Sequence, residues 1–203
     1  MPNKTKQQQR RVFLQAAAGI ALAPVAQTEA LASSLETNWL SHSLSHAVVE
    51  PGKPGDFDFL SGEWKISHRR LKNAPTREWD VFEGEATCWS ILNGIASIEE
   101  LRIPARNFSG MGIRLLDVEK SVWSDFWVNS RSGILTPPGV TGGFKDGVGI
   151  FISEDTDQGK PIKVRGMWDK ITANSCRWQQ AVSHDDGLTW EDNWVMDWRR
   201  AAK

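Results

Sequence analysis

The sequence has no tyrosine, two cysteines and four histidines, and each scarcity removes a class of function. Two cysteines, Cys88 and Cys176, are too few for a Cys-rich metal centre and allow at most one disulfide, whose formation the count leaves open. His42 and His46 stand four residues apart with no carboxylate or third ligand to complete a site, so they read as solvated linker residues and no metal is expected. Basic residues do not exceed acidic ones, 24 against 25, so there is no positive surplus to neutralise phosphates, and nucleic acid is not expected as a partner. No apolar run reaches the roughly 20 residues needed to cross a bilayer. A Gly-x-Ser-x-Gly elbow, a phosphate loop and a dinucleotide fingerprint are all missing.

What is present at the N-terminus points to export. Lys4, Lys6, Arg10 and Arg11 supply positive charge, and Arg10-Arg11-Val12-Phe13-Leu14-Gln15 resembles the twin-arginine consensus. An alanine-rich apolar stretch runs from Ala16 to Ala26, and Ala30-Leu31-Ala32 is a small-x-small cleavage site. The reading is a signal over residues 1–32 that engages the export machinery through residues 10–15 and leaves a periplasmic or otherwise exported protein with no membrane span. Removal of that segment takes four basic residues and one acidic residue from the totals, leaving a net charge of about −4, which suits solubility.

Residues 33–56 read as a flexible linker, Ser-rich and then Pro51-Gly52-Lys53-Pro54-Gly55. From Phe57 the period changes to two. Trp64, Ile66 and His68 share one face, and Phe82, Gly84, Ala86 and Cys88 share another, with Glu83 and Glu85 opposite. Further extended runs fall near 95–103, 110–117, 121–129, 148–153, 162–171, 176–183 and 189–199. Turn signals such as Leu92-Asn93-Gly94 and Lys145-Asp146-Gly147 separate them. No helical stripe interrupts this stretch. Nine or ten short strands on tight turns imply an all-β, single antiparallel up-and-down barrel over residues 57–203, since parallel strands would need long crossovers and closure removes exposed edges.

The head of that meander, Phe59-Leu60-Ser61-Gly62-Glu63-Trp64, resembles the calycins, the lipocalin and fatty-acid-binding group. Their first strand begins with a Gly-x-Trp that plugs one end. In lipocalins an Arg from the last strand packs over that Trp; Arg199 or Arg200 stands where such a partner is expected, and Arg199 is assigned the role. A closer resemblance, from about Asp56 to Arg200, is to a bacterial family of lipocalin-like domains of unknown function. It rests on Trp79, Phe82-Glu83-Gly84, Trp123, Trp127, Pro137-Pro138-Gly139, Gly143 to Phe151, Arg165, Trp168, Arg177 to Ser183, and Thr189 to Met196 with Arg199. The resemblance implies a lipocalin-like fold and lends no catalytic residue.

Ser183-His184-Asp185-Asp186-Gly187-Leu188-Thr189-Trp190 matches the Asp-box turn of sialidase propellers. One copy cannot build a propeller, so Asp185, Gly187 and Trp190 are expected to staple a turn. Eleven tryptophans must fill a core or line a cavity. The expected walls are Trp127, Trp178 and Gln180, with Trp190, Trp194, Met196 and Trp198 as a second alternating set. Arg70, Arg165 or Gln180 would meet a carboxylate or hydroxyl on the guest. Glu99, Glu100, Arg102 and Arg114 pair either inside the barrel or on its surface.

Two functions stay open. One is an exported barrel that binds a small apolar or aromatic molecule. The other is a cofactor-free lyase, isomerase or hydrolase using the same cavity, with His68 or an inward Glu as base. No cofactor is expected. Haem would need His68, His184 or Met196 as axial ligand, and none stands in a recognisable ligand context.

Overall fold

The structure, a computed structural model, describes residues 50–202. The expected signal over 1–32, the linker as far as residue 49, and His42 and His46 lie outside the described residues. Ten strands follow in order: β1 Gly62–Asn73, β2 Glu78–Ile91, β3 Ala96–Ile103, β4 Phe108–Asp117, β5 Val122–Asn129, β6 Val140–Lys145, β7 Val148–Asp157, β8 Lys160–Asp169, β9 Ser175–Ser183 and β10 Glu191–Arg200. Each pairs antiparallel with its neighbour in sequence, and β1 pairs with β10, so the sheet closes into an up-and-down barrel. Closure satisfies every edge.

β6 was not expected. Its inward positions, Val140, Gly142 and Phe144, pair across to Asp125, Trp123 and Gly149. The small Gly142 gives no hydrophobic signal, because the Phe151 ring occupies the space a side chain would take.

Residues 50–56, expected as the end of a flexible linker, are strapped across one end of the barrel. Glu50 N–H donates to Phe144 O at 3.0 Å, Gly52 N–H to Ser121 O at 2.7 Å and Gly55 N–H to Gly94 O at 2.9 Å. Asp56 accepts the Trp123 indole N–H at 3.0 Å. A short 3₁₀ turn over Asp58–Leu60 then drives Phe57 and Leu60 into the interior, where both are fully buried. The aromatic core forms around them: Trp64, Trp123, Trp168, Trp198 and Phe151. Burial of these rings contributes a few kcal/mol each, of order 25 cal/mol per Å². Among the described residues no helix is long and apolar enough to cross a membrane.

Candidate functional site

Alternation fixes which side chains look inward. The β1 register pairs Trp64 with Arg200, Ile66 with Trp198, His68 with Met196 and Arg70 with Trp194, so all eight share the inner face. At the closed end the last of these arginines completes the plug. Arg200 stands 4.0 Å over the Trp64 ring and donates to Phe59 O at 2.8 Å and to Ser61 O. Trp64 donates its indole N–H to Leu60 O at 2.6 Å. Gly62 has φ +119°, and a Cβ there would stand 2.7 Å from the guanidinium. Glycine is therefore required both by backbone and by space. Arg199, expected to cover Trp64, pairs with Lys65 and points outward; strand parity gives the role to its neighbour.

Above the plug lies a buried ionic group. Arg114 donates to Glu99 at 2.5 Å, both side chains about 95% buried, and its Nε lies 3.6 Å from Asp125, whose side chain keeps 24% exposure. Two carboxylates thus share one cation. Burial pushes Asp125 up to about 6 against the pull of Arg114, and Glu99 adds to the rise. Arg114 also lies 5.3 Å from the Phe57 and Trp168 rings. Glu100 and Arg102 take the outer option, with Arg102 bonded to Glu85, Glu100 and Thr87. Cys88 and Cys176 are free thiols in the core, both pushed up by burial.

The opposite end is less tightly buried. Trp127, Trp178, Trp194, Phe82 and Arg70 all point inward by register, yet none is fully buried. Trp127, Trp178 and Trp194 pack partly buried against the core cluster. The hub is Trp194. Its indole N–H donates to His68 Nδ1 at 3.3 Å, its ring lies 4.7 Å beneath the Arg70 guanidinium, and it meets Trp178 edge-on at 5.9 Å. Gln180, directly across from Trp194, donates to Asn193 Oδ1 at 3.0 Å. Trp127 lies across Gly110, which leaves it room.

His68 is fully buried and stacks on Phe82 at 4.6 Å. An indole N–H can only donate, so Nδ1 is the acceptor and the proton sits on Nε2. That Nε2 lies 2.6 Å from where a Cβ on Gly84 would stand and has no partner among the described residues. Burial, with Arg106 adding to it, pushes the imidazole down to about 4. His68 offers a hydrogen-bond donor at neutral pH, which departs from the general-base role read from the sequence.

Two further expectations change. Arg165 pairs with Ile152 and Ala181 on the outer face, where its guanidinium lies 4.6 Å from the Trp190 ring. It does not reach the interior, and neither does Trp190. Arg165 faces out by plain alternation with the inward Gly166 and Trp168 of its own strand, whereas for Trp190 the cause is a β-bulge between Asp192 and Trp194, whose extra residue, Asn193, reverses the parity of the residues before it. The turn carries its own hydrogen bonds. Asp185 accepts from Thr189 N–H at 2.8 Å and its hydroxyl at 2.6 Å, while Gly187, at φ +94°, donates to Ser183 Oγ at 2.8 Å.

Sequence reasoning missed Asp80, Arg106 and Asp125 at the interior. Asp80 continues the inward parity of Phe82, Gly84 and Ala86, so extending that face by one step would have found it. Arg106 sits in a 3₁₀ turn, Pro104–Arg106, with no period to betray it. It bonds Asp80 at 2.6 Å and covers Phe82 at 3.4 Å.

The haem ligands fare poorly. His68 has one nitrogen bonded and the other against Gly84, Met196 is packed in the core, and His184 is exposed on the turn. This donor set does not fit an axial ligand. Among the described residues no group of three or more His, Cys, Asp or Glu could hold a metal.

No family model and no curated protein matches the chain. The solved structures similar to this chain include the following two. A redesigned β-barrel aligns over 74% of this chain and 99% of its own at 9% identity and TM-score 0.40. A protein of unknown function from the DUF3598 family of Nostoc punctiforme aligns over 74% of this chain at 11% identity and TM-score 0.41. This chain spans about half, 51%, of that protein's length.

Proposed function

We propose that the protein is an exported, lipocalin-like barrel that encloses a small, largely apolar or aromatic molecule in its open half. The observation that carries this reading is the partly buried aromatic lining. Trp127, Trp178, Trp194 and Phe82 face inward and are only partly buried, and a cluster of inward rings left partly uncovered suits an apolar guest. The calycin likeness is supported by Arg200 over Trp64 at the plugged end. Export is supported by Arg10-Arg11 and the apolar stretch after it.

Native mass spectrometry of protein purified from its own host tests the binding. A co-purified organic molecule that leaves on denaturation is expected; a bare mass under all gentle conditions, with no uptake of added aromatics, contradicts it. Replacement of Arg10 and Arg11 together by Lys tests export. Accumulation of the uncut chain inside the cell is expected, whereas unaltered processing would leave only a general secretory route.

One observation favours a second reading. Asp125 is an inward carboxyl raised to about 6 beside the Glu99–Arg114 pair. Perturbed carboxylates of this kind suit general acid–base work, so a cofactor-free lyase, isomerase or hydrolase would use Asp125 rather than His68. Turnover lost in Asp125→Asn with guest affinity retained would establish it.

A further inference from the structure

Resting on that binding reading, we propose that the open end selects guests bearing a carboxylate, with Arg70 as its receptor. The half-buried Arg70 guanidinium lies over Trp194 at 4.7 Å, and no hydrogen bond or ion pair engages it among the described residues. The neighbouring carboxylate, Asp80, is already committed to Arg106 at 2.6 Å. Arg70, Arg106 and Asp80 therefore leave one positive charge unanswered on an inner wall. A desolvated guanidinium with free N–H groups binds a carboxylate in paired, charge-assisted hydrogen bonds.

The surrounding polar atoms fit the same class of guest. His68 and Gln180 are at least 98% buried, and each keeps one polar atom without a partner: His68 Nε2, a donor, and Gln180 Oε1, an acceptor. Native interiors seldom leave such atoms unmet. The His68 donor stays turned against Gly84, while a hydroxyl or N–H on the guest answers the Gln180 acceptor. Deeper in the barrel Glu99 and Asp125 share only Arg114, so an anion is repelled there and its charged end is held at the mouth. The ring of the guest then lies along Trp127, Trp178 and Trp194. The class is an aromatic acid carrying a hydroxyl or N–H.

Displacement of the neutral fluorophore N-phenyl-1-naphthylamine from the purified protein at neutral pH tests this. The competitors are 2-naphthoate and its methyl ester, which share a ring and differ in charge. Naphthoate is expected to compete about tenfold better than the ester, the scale of one charge-assisted hydrogen bond. Arg70→Gln is expected to erase that advantage and leave the ester unchanged. Arg69→Gln, on the outer face beside Asp197 at 3.9 Å, is expected to keep it. Equal competition by acid and ester in the unmodified protein would overturn the proposal without recourse to any variant, as would an advantage that survives Arg70→Gln. A fluorophore that binds nowhere would sink the binding reading itself.

Discussion

Trp194 and His68, 126 residues apart, are joined by one hydrogen bond of 3.3 Å from indole Nε1 to imidazole Nδ1. That bond fixes the neutral tautomer of a buried histidine and, with it, a dependence of stability on pH. The folded imidazole titrates near 4 and the unfolded one near 6.5. Between those values the unfolded chain takes up a proton that the folded barrel refuses, so stability falls as pH drops through the window. From pH 7 to 5 the loss due to His68 is about 2 kcal/mol. Urea unfolding of His68→Leu at the two pH values is expected to show a fall smaller by that amount.

Asp125 acts with the opposite sign. Its folded carboxyl is raised to about 6 from 3.8, so between those values the barrel holds a proton that the unfolded chain releases. Stability then declines as pH rises through the window. Asp125→Asn is expected to remove this decline and to leave a profile that climbs more steeply with pH than the parent's. A parallel pair of profiles would show that Asp125 keeps an ordinary carboxylate.

Arg114 is the cation between Glu99 and Asp125. Arg114→Met alone leaves buried Glu99 unpaired, and a loss of about 3–5 kcal/mol is expected in chemical denaturation. Glu99→Leu combined with Arg114→Met is expected to recover most of it, since both desolvated charges are gone and Asp125 simply takes up its proton.

At the closed end, Gly62→Ala must adopt φ +119° and push aside Arg200, 2.7 Å from the new Cβ. A destabilisation of about 1–3 kcal/mol is expected, read as a lowered melting temperature. Arg199→Ala, whose side chain points away from Trp64, is expected to melt within experimental error of the parent.

The alternation that announced the barrel was legible because inward positions were bulky. Trp64, Ile66 and His68, then Phe82 to Cys88, carry enough apolar contrast against Glu83 and Glu85 to fix their face. The signal failed where inward positions shrink to glycine, as at Gly142 in β6, since a ring from Phe151 supplies the bulk from another strand. It failed again at Asn193, where one inserted residue turned Trp190 outward. No local pattern marks such a bulge; it is fixed by the Gln180–Asn193 bond across the sheet. The Arg106–Asp80 pair spans 26 residues and was equally hidden, because the turn that follows β3 has no period to show that its side chain folds back over β2.

The most direct measurement of an accessible interior is titration with N-phenyl-1-naphthylamine of the parent protein and of Gly166→Leu. Gly166 faces inward between Phe151 and Gln180, and the atoms nearest a Cβ there are those of Trp178, at 3.5 Å and beyond, so the backbone accepts a side chain and a leucine would project into the interior. One saturable site in the parent, lost in a Gly166→Leu variant that melts normally, is the expected result. Equal binding by both proteins would place the fluorophore outside the barrel and contradict the account.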